Sequence, residues 1–364
     1  MDITIDATPL LGRRTGIGQY VAQLVRELPA AAVRAGLEVT LRATTWTARG
    51  GSLTDLPPGA RQVGPRVPAR ALRAAWTRTD LPPIEALVGR TDVFHGTNFV
   101  SPPTRRAREV VTVHDLTYVD HVETVSAESR AYARLVPRAL GRGAHVVTPS
   151  EAVAARVREL YELPADRVTV TPLGVAGSWF DARPATPAWL AAHALPTDYV
   201  VFVGSLDPRK NLPRLLDAHA ALRASDPSAP DLVLAGPAGR EESLAGRAGV
   251  HLTGWLEDAD LRALVAGARA LALPSLDEGF GLPAVEALAA GRPVVTSLAP
   301  ALLEVAGAHA FSAPATDRDA LADALARALG APDEETDRAA RRAWARGFTW
   351  SRTADRTLDA YRAA

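Results

Sequence analysis

Residues 270–291 of the 364-residue chain read ALALPSLDEGFGLPAVEALAAG, an apolar run followed by a segment rich in glycine and proline. Its apolar start predicts a buried parallel strand, and the glycine-bracketed segment after it predicts a turn. A short helix should follow, with Pro283 in its first turn and Gly291 as its cap. Proline lacks an N–H that would be unpaired there, and glycine tolerates a left-handed backbone. A strand, a glycine turn and a helix N-terminus in this order predict an anion site.

Two carboxylates flank the predicted anion site. Glu278 lies in the turn and Glu286 lies one turn into the helix, with seven residues between them. Acids beside an anion site are useful when the ligand also carries hydroxyl groups, as a sugar attached to a phosphate does. The spacing alone means little in a chain with 41 acidic residues, but the glycine and proline frame makes it specific. The competing interpretation is a capped helix with two solvated acids.

Glu278 and Glu286, with the glycines and prolines around them and Gly-Arg-Pro-Val-Val after them, closely resemble the signature of the retaining family 4 glycosyltransferases. The resemblance implies an enzyme of α/β architecture with the GT-B fold, in which two doubly wound Rossmann-like domains face a central cleft. It implies that Glu286 holds the ribose hydroxyls of a nucleotide sugar and that Glu278 holds the sugar hydroxyls. Backbone N–H groups of the turn would contact phosphate or sugar, and the residues assigned to this role are Gly279, Phe280, Gly281 and Leu282.

A second segment predicts a pair of fixed cations. Residues 199–204 form an apolar strand pattern, and the sequence SLDPRKNL that follows resembles the diphosphate-binding segment of the family. Transfer leaves negative charge on the diphosphate, and Arg209 and Lys210 would stabilise it as a metal ion does in other glycosyltransferases. Lys210 is the only lysine of the chain, which argues against the alternative that Arg209 and Lys210 are ordinary surface residues beside a helix start. Asn211 is expected to be the N-cap of the next helix.

Three further residues complete the donor site that the resemblance implies. Gly204 and Ser205 precede the cations, and Trp255 matches a segment that packs near the nucleobase in relatives; a core position is the alternative for Trp255. No metal ligand is assigned. The two Asp-x-Asp sequences, at residues 258–260 and 317–319, both open amphipathic helices, where acids favour the helix dipole.

The first half of the chain carries a glycine segment and two strands that end in histidine. Gly16 and Gly18 follow a strand, but position 21 holds no third glycine, so the dinucleotide fingerprint fails. The segment better matches the Gly-Ile-Gly-x-Tyr loop of family 4 enzymes, beneath the donor phosphates and near the acceptor. The alternative, given equal weight, is that these glycines only form a tight turn whose backbone conformation requires glycine.

His95 and His114 both end predicted strands, at the sheet edge where α/β proteins bind ligands. The sequence around His114 resembles a family segment whose histidine lies near the donor sugar and the acceptor, so a catalytic role is assigned to it. His95 and Asn98 are expected to bond neighbouring loop backbone.

The resemblance and the alternation of strands and helices predict three parts. Residues 1–180 form an acceptor-binding domain, residues 181–348 form a nucleotide-sugar-binding domain, and residues 349–364 form a helix that crosses back to the first domain. Residues 176–197 are expected to be the linker. Residues 69–78 form a basic amphipathic helix, for which an ordinary surface position is favoured over a membrane surface or a lipid-linked acceptor.

Composition limits the remaining possibilities. The formal net charge is zero, so no global field favours nucleic acid, and the absence of cysteine excludes disulfides and thiolate metal sites. The chain opens directly with a strand pattern, so no signal peptide is expected, and its apolar runs are too short for a membrane span. A cytoplasmic enzyme is predicted, with peripheral attachment to the inner face of the membrane left open.

The most specific interpretation is a metal-independent retaining glycosyltransferase. GDP-mannose is the best guess for the donor, a co-substrate rather than a bound cofactor. The acceptor would be a glycan, a lipid-linked sugar or a small molecule. Two alternatives stay open: another GT-B enzyme, such as a nucleotide-sugar epimerase, or a non-catalytic GT-B module that binds glycans.

Overall fold

The computed structural model describes residues 1–48, 50–237 and 246–364. The chain divides into two compact units, the first comprising residues 1–174 and 349–364 and the second residues 175–348. The first unit therefore ends at Gly174, not at residue 180. The expected linker, residues 176–197, belongs to the second unit and includes the helix Pro187–Ala192. Within the described ranges, no helix combines the length and the apolar character needed to cross a membrane.

The first unit contains a parallel sheet covered by helices. Its strands are β1 (Asp2–Asp6), β2 (Thr40–Thr44), β3 (Arg61–Gln62), β4 (Val93–Gly96), β5 (Arg108–Thr112), β6 (His145–Thr148) and β7 (Val168–Val170). Its helices are α1 (Gly16–Arg34), α2 (Ala69–Trp76), α3 (Glu85–Val88), α4 (Thr117–Asp120), α5 (Tyr132–Gly141), α6 (Glu151–Tyr161) and, from the chain's end, α14 (Trp350–Ala363). Helix α6 begins after its cap, Ser150, whose side chain accepts a hydrogen bond from the N–H of Val153.

The second unit repeats this architecture. Its strands are β8 (Tyr199–Val203), β9 (Asp231–Ala235), β10 (Val250–Gly254), β11 (Ala270–Leu273), β12 (Val294–Ser297) and β13 (Ala310–Ala313). Its helices are α7 (Pro187–Ala192), α8 (Leu212–Ser225), α9 (Asp258–Gly267), α10 (Leu282–Ala289), α11 (Pro300–Ala306), α12 (Arg318–Gly330) and α13 (Glu335–Ala345). Residues 270–289 thus form strand β11, a turn and helix α10, as predicted.

The strand order determines where each unit can bind a ligand. The first sheet has the order β3-β2-β1-β4-β5-β6-β7 and the second the order β10-β9-β8-β11-β12-β13, and the paired strands are parallel. The chain reverses direction across each sheet between its first and fourth strands, which leaves a crevice beyond their carboxyl ends. These switch points lie between β1 and β4 in the first unit and between β8 and β11 in the second.

Helix α2 behaves as an ordinary surface helix. Leu72 and Trp76 are buried and pack in a core cluster with Trp46 and Phe94. The opposite side is exposed, and the side chain of Arg70 is 89% accessible to solvent. The apolar side of α2 is therefore already occupied within its own unit.

A buried polar chain connects helix α14 to the first sheet. His95 is fully buried on β4, and its two ring nitrogens lie 2.7 Å from the hydroxyl of Tyr361 and 2.7 Å from that of Thr112. The Thr112 hydroxyl also lies 3.0 Å from the hydroxyl of Tyr20 on α1. Burial lowers the pKa of His95 to about 3, so the ring is neutral and both nitrogens need these partners. The expectation that His95 bonds loop backbone was wrong.

Replacing Tyr361 tests this connection. Tyr361→Phe removes one hydroxyl and leaves a buried histidine nitrogen without its partner, which typically costs about 1–3 kcal/mol of unfolding free energy. Tyr132→Phe is the matched control, because no side chain in the described ranges hydrogen-bonds the Tyr132 hydroxyl. Urea unfolding of the two variants should show a clear loss for Tyr361→Phe only. Equal unfolding free energies would mean that α14 docks through apolar packing alone.

Candidate active site

Two loops meet at the switch point of the second unit, one after β8 and the other after β11. The N–H of Leu276 donates to the carbonyl oxygen of Arg209 at 2.9 Å. The side-chain amide of Asn211 donates to the carbonyl oxygens of Pro274, at 3.1 Å, and Ala315, at 2.7 Å. The loops are thus joined by one backbone hydrogen bond and by the Asn211 side chain.

Asn211 is the N-cap residue of helix α8, as predicted, but its side chain has a different role. Its side chain makes no capping hydrogen bond to helix α8 and instead bridges the two loops. Its φ of 57° is left-handed, a conformation that asparagine adopts more readily than most residues. This correction could not be reached from local sequence, because the bonded carbonyls lie far along the chain.

The predicted cations and one predicted acid form a single buried cluster. One carboxylate oxygen of Glu278 bonds Lys210 and accepts a hydrogen bond from Ser275 at 2.8 Å. The other lies 3.0 Å from a guanidinium nitrogen of Arg209, which also donates to the Asp277 carbonyl at 2.6 Å. The side chains of Glu278 and Lys210 are 8% and 10% exposed, so solvent screens their attraction weakly.

The cluster sets the ionisation of Glu278. Burial by itself would raise the pKa of this carboxyl group, but Lys210 and Arg209 outweigh that effect and lower the pKa to about 2. Glu278 is therefore ionised at any physiological pH. Two positive groups face one negative group, so the three together carry one net positive charge.

Glu286 has the opposite electrostatic character. It is partly buried on helix α10, and desolvation together with the nearby carboxylate of Asp258 raises its pKa to about 8. A hydrogen bond from Trp179 and the charge of Arg262 oppose this rise without cancelling it. Glu286 is therefore mostly protonated at neutral pH. The sequence did not associate Asp258, Trp179 or Arg262 with Glu286, and no local signal would have done so.

The turn between the two acids is tightly packed. Gly281 has a φ of 87°, and an added Cβ would lie 2.3 Å from a methyl group of the fully buried Leu302. Gly279 and Phe280 are also buried, and the Phe280 ring packs edge-on against Phe348 at 5.8 Å. Leu282 is the first residue of α10, so the turn leads directly into the helix N-terminus.

The other residues assigned to the donor site occupy loops of the same unit. The N–H of Gly204 donates to the carbonyl oxygen of Ala235 at 3.0 Å, and the hydroxyl of Ser205 donates to Asp207 at 2.6 Å. Trp255 follows β10 and is partly buried. No group of three or more acidic or histidine side chains suited to a metal occurs in the described part of the chain. Asp317 caps helix α12, as its sequence context predicted.

The candidate residues of the first unit lie near the carboxyl edge of its sheet. Gly16 and Gly18 belong to the first turn of α1 and not to the loop before it. Only Gly18 is crowded, since an added Cβ would lie 2.9 Å from the carbonyl oxygen of Pro9. His114 is buried just beyond β5, and its Nε2 lies 2.8 Å from the carbonyl oxygen of Thr97. Nε2 must donate to that oxygen, and burial lowers the pKa of the ring, so Nδ1 carries a lone pair.

Comparisons with known proteins agree with this geometry. The family described as Glycosyltransferase Family 4 matches residues 14–176, and Glycosyl transferases group 1 matches residues 197–331. The solved structure of sucrose-phosphate synthase from Thermosynechococcus elongatus aligns with a TM-score of 0.74 at 21% identity, covering 100% of this chain and 98% of that one. The fold is therefore GT-B, the class predicted from sequence.

Relatives with curated names define the family. The O-antigen chain mannosyltransferase B of Escherichia coli is 29% identical over 302 residues, which cover 80% of this chain and 77% of that protein. The MMP alpha-(1->4)-mannosyltransferase of Mycolicibacterium hassiacum is 35% identical over 232 residues, which cover 60% of this chain and 54% of that protein. The chain belongs to the family 4 glycosyltransferases, and it is a glycosyltransferase enzyme.

The glycine turn gives a direct test of the packing around the site. Gly281→Ala forces a left-handed alanine against Leu302, which should cost about 2 kcal/mol or more of unfolding free energy. Gly16→Ala is the control, because nothing lies within 4 Å of its added Cβ and its backbone is helical. The control should change stability by less than about 0.5 kcal/mol. Thermal unfolding of both variants measures this difference in stability. Equal stability of the two variants would refute the packing argument.

Proposed function

We propose that the enzyme transfers a sugar, with mannose from GDP-mannose as the specific proposal, from a nucleotide diphosphate to a glycan, lipid-linked or small-molecule acceptor. The transfer is proposed to retain the anomeric configuration and to need no metal ion. The observation that carries this proposal is the cluster of Arg209, Lys210 and Glu278 at the switch point of the second unit. The choice of mannose rests on relatives whose names describe mannosyltransferases.

The cluster is suited to a diphosphate leaving group. Bond cleavage at the anomeric carbon places negative charge on the departing diphosphate, and cations fixed beforehand stabilise that charge without reorganising. Arg209 and Lys210 are held on adjacent loops by hydrogen bonds and by Glu278. The N-terminus of α10, directly after the glycine turn, adds partial positive charge to the same region. These groups perform the role that a divalent cation performs in other glycosyltransferases.

Glu278 is proposed to have one role before the donor binds and another after it has bound. Without ligand, its carboxylate holds the two cations in place. When a diphosphate binds, its oxygens compete for the same cations, and the released carboxylate can accept hydrogen bonds from the sugar hydroxyls. The negative charge would then also stabilise positive charge that develops at the anomeric carbon.

Glu286 and His114 are assigned to the remaining polar contacts. Glu286 is proposed to bind the ribose diol, whose two adjacent hydroxyls can both donate to one carboxylate. His114, neutral and with Nδ1 unprotonated, is proposed to accept a hydrogen bond from the donor sugar or the acceptor. Its fixed orientation follows from the bond to Thr97 and from the edges of Tyr20 and Phe99 against the ring.

The stereochemical outcome and the role of Lys210 test this proposal together. Proton NMR of the sugar product formed from GDP-mannose should show the α configuration of the donor, in the presence of EDTA. Lys210→Ala should lower kcat by about a hundredfold, because one preformed charge at the leaving group is lost. Arg318→Ala, an exposed site on helix α12, should retain normal turnover. A β product, or activity that disappears with EDTA and returns with Mn²⁺, would refute the mechanism.

The release of a proton on nucleotide binding distinguishes the proposed role of Glu286 from that of Glu278. Ribose hydroxyls favour ionised Glu286, so nucleotide binding should lower its pKa from about 8 and release close to one proton near neutral pH. Affinity should therefore increase as the pH rises to about 8. The same pKa means that the ligand-free enzyme loses stability as the pH rises through about 8, since ionised Glu286 is disfavoured in the folded chain.

Calorimetry with GDP in two buffers of different ionisation enthalpy measures this proton. The phosphate can also release protons, so Glu286→Gln is the control that isolates the contribution of the carboxyl group. Glu278→Gln should release the same proton as the wild type, because the proton comes from Glu286. Equal proton release by wild type and Glu286→Gln would remove Glu286 from the ribose site.

A further inference from the structure

Four arginines of the second unit meet where helix α10 ends and strand β12 begins, and we call them the arginine cluster. Arg292 lies between these two elements, and the other three, Arg338, Arg341 and Arg342, belong to helix α13. Strands β11 and β12 are parallel, so Arg292, just before β12, lies at the amino edge of the sheet, whereas Glu278, after β11, lies at the carboxyl edge. The arginine cluster is therefore separate from the candidate donor site.

Arg341 has a structural role in the cluster. Its guanidinium group donates to the carbonyl oxygens of Gly291, at 3.0 Å, and Pro332, at 3.3 Å, and to a carboxylate oxygen of Asp333 at 3.0 Å. Its side chain is only 9% exposed. These bonds attach helix α13 to the C-terminal end of helix α10 and explain why Arg341 is buried.

The other three arginines have unused hydrogen-bond donors. Arg292 and Arg338 each bond one oxygen of Asp333, at 3.3 and 2.7 Å, and Arg342 bonds Glu335 at 2.8 Å. A guanidinium group has five N–H donors, so each of these groups keeps several without a partner in the described part of the chain. Their Nε atoms are buried and lack partners there as well. These arginines have thus lost hydration that the acceptors of the described residues do not replace.

The positive charge of the arginine cluster is not balanced. Its four guanidinium groups pair with only two carboxylates, those of Asp333 and Glu335, which leaves two positive charges in excess. The side chains of Glu334 and Asp337 are nearby, but they accept backbone N–H groups in the capping box of α13. Burial and the charges of its three arginine neighbours lower the pKa of Arg292, and Asp333 offsets them only in part. An anion would therefore be attracted to this partly buried place.

The free donors are close enough to share one ligand. Arg292 and Arg338 meet at the same oxygen of Asp333, and the guanidinium group of Arg342 lies over Gly291, where an added Cβ would be 3.3 Å from its terminal nitrogen. A phosphate monoester carries nearly two negative charges at neutral pH and three acceptor oxygens, which guanidinium groups bind well. The excess charge is confined to one place in a chain of zero net charge, so a single phosphate group fits better than a long polyanion.

We propose that the arginine cluster binds the phosphate group of a phosphate monoester, with Arg292, Arg338 and Arg342 as its donors. The ligand supplies the acceptors and the negative charge that the described residues do not. This site does not depend on the proposed glycosyl transfer. A soluble phosphate ester and the headgroup of phosphatidic acid share the same chemistry, so one probe of each kind is needed.

Calorimetry with inorganic phosphate at constant ionic strength measures the binding. Arg338→Ala and Arg342→Ala should each raise Kd about tenfold, because charge-assisted hydrogen bonds are lost. Arg269→Ala is the matched control and should leave Kd unchanged. Arg269 lies at the same sheet edge, just before β11, but pairs with Asp198 and donates to a backbone carbonyl. Thermal unfolding verifies that the variants are folded, and Arg342→Ala removes an ion pair only to the exposed side chain of Glu335.

A further variant separates this site from the cations of the donor site. Lys210→Ala should retain phosphate binding. Loss of binding in Lys210→Ala with normal binding in Arg338→Ala and Arg342→Ala would place the phosphate at the donor site and overturn the proposal. The absence of saturable binding by the wild type, or equal Kd values for the two cluster variants and Arg269→Ala, would also overturn it.

Vesicles of phosphatidylcholine that contain phosphatidic acid distinguish the two sources of phosphate. Sedimentation of the wild type with these vesicles, but not of Arg342→Ala, would support the proposal and identify a lipid headgroup as the ligand. Phosphate binding that Arg342→Ala weakens, without sedimentation of the wild type, would support the proposal and identify a soluble phosphate ester.

Discussion

The ion pairs of Glu278 with Arg209 and Lys210 are the interaction that holds the proposed donor site together. A buried carboxylate is stable only when its lost hydration is replaced, and here two cations and the Ser275 hydroxyl replace it. Removing one partner of such a buried pair typically costs about 3–5 kcal/mol, so the pairs hold both loops in one arrangement. Strands β8 and β11 make this possible because they are neighbours whose carboxyl ends release the two loops side by side.

The two units show how one sheet topology can carry two kinds of site. Each unit reverses its strand order once, and each presents polar side chains beyond that point. The second unit places charged groups there, with one net positive charge in the cluster, which suits an anion. The first unit places Asp6, Asn98 and the buried ring of His114 at the corresponding edge. The chain has only two asparagines, and one lies at each switch point, where Asn98 lines a pocket and Asn211 fastens two loops.

The local sequence was sufficient to predict those elements that interactions between neighbouring residues determine. Strand β8 and the strand, turn and helix around Gly281 follow from apolar runs, glycine and proline. Strands β3 and β13 show no such signal, because the two residues of β3 are exposed and β13 is mostly half-buried. The partners of Glu278 and Asn211 were also missed. Each pairing joins residues more than 60 positions apart, and only the fold brings them together.

The opposite ionisation of Glu278 and Glu286 shows that a sequence motif alone does not determine the ionisation state of its residues. The two residues have the same side chain on either side of one glycine turn, yet one pKa is lowered to about 2 and the other raised to about 8. Cations surround the first, whereas an apolar environment and the carboxylate of Asp258 surround the second. In the ligand-free enzyme, Glu278 therefore provides a negative charge that holds cations, while Glu286 is mostly a neutral acid. A nucleotide that supplies both a diphosphate and a ribose would change the state of both residues at once, which links recognition of the two ends of the donor through charge alone.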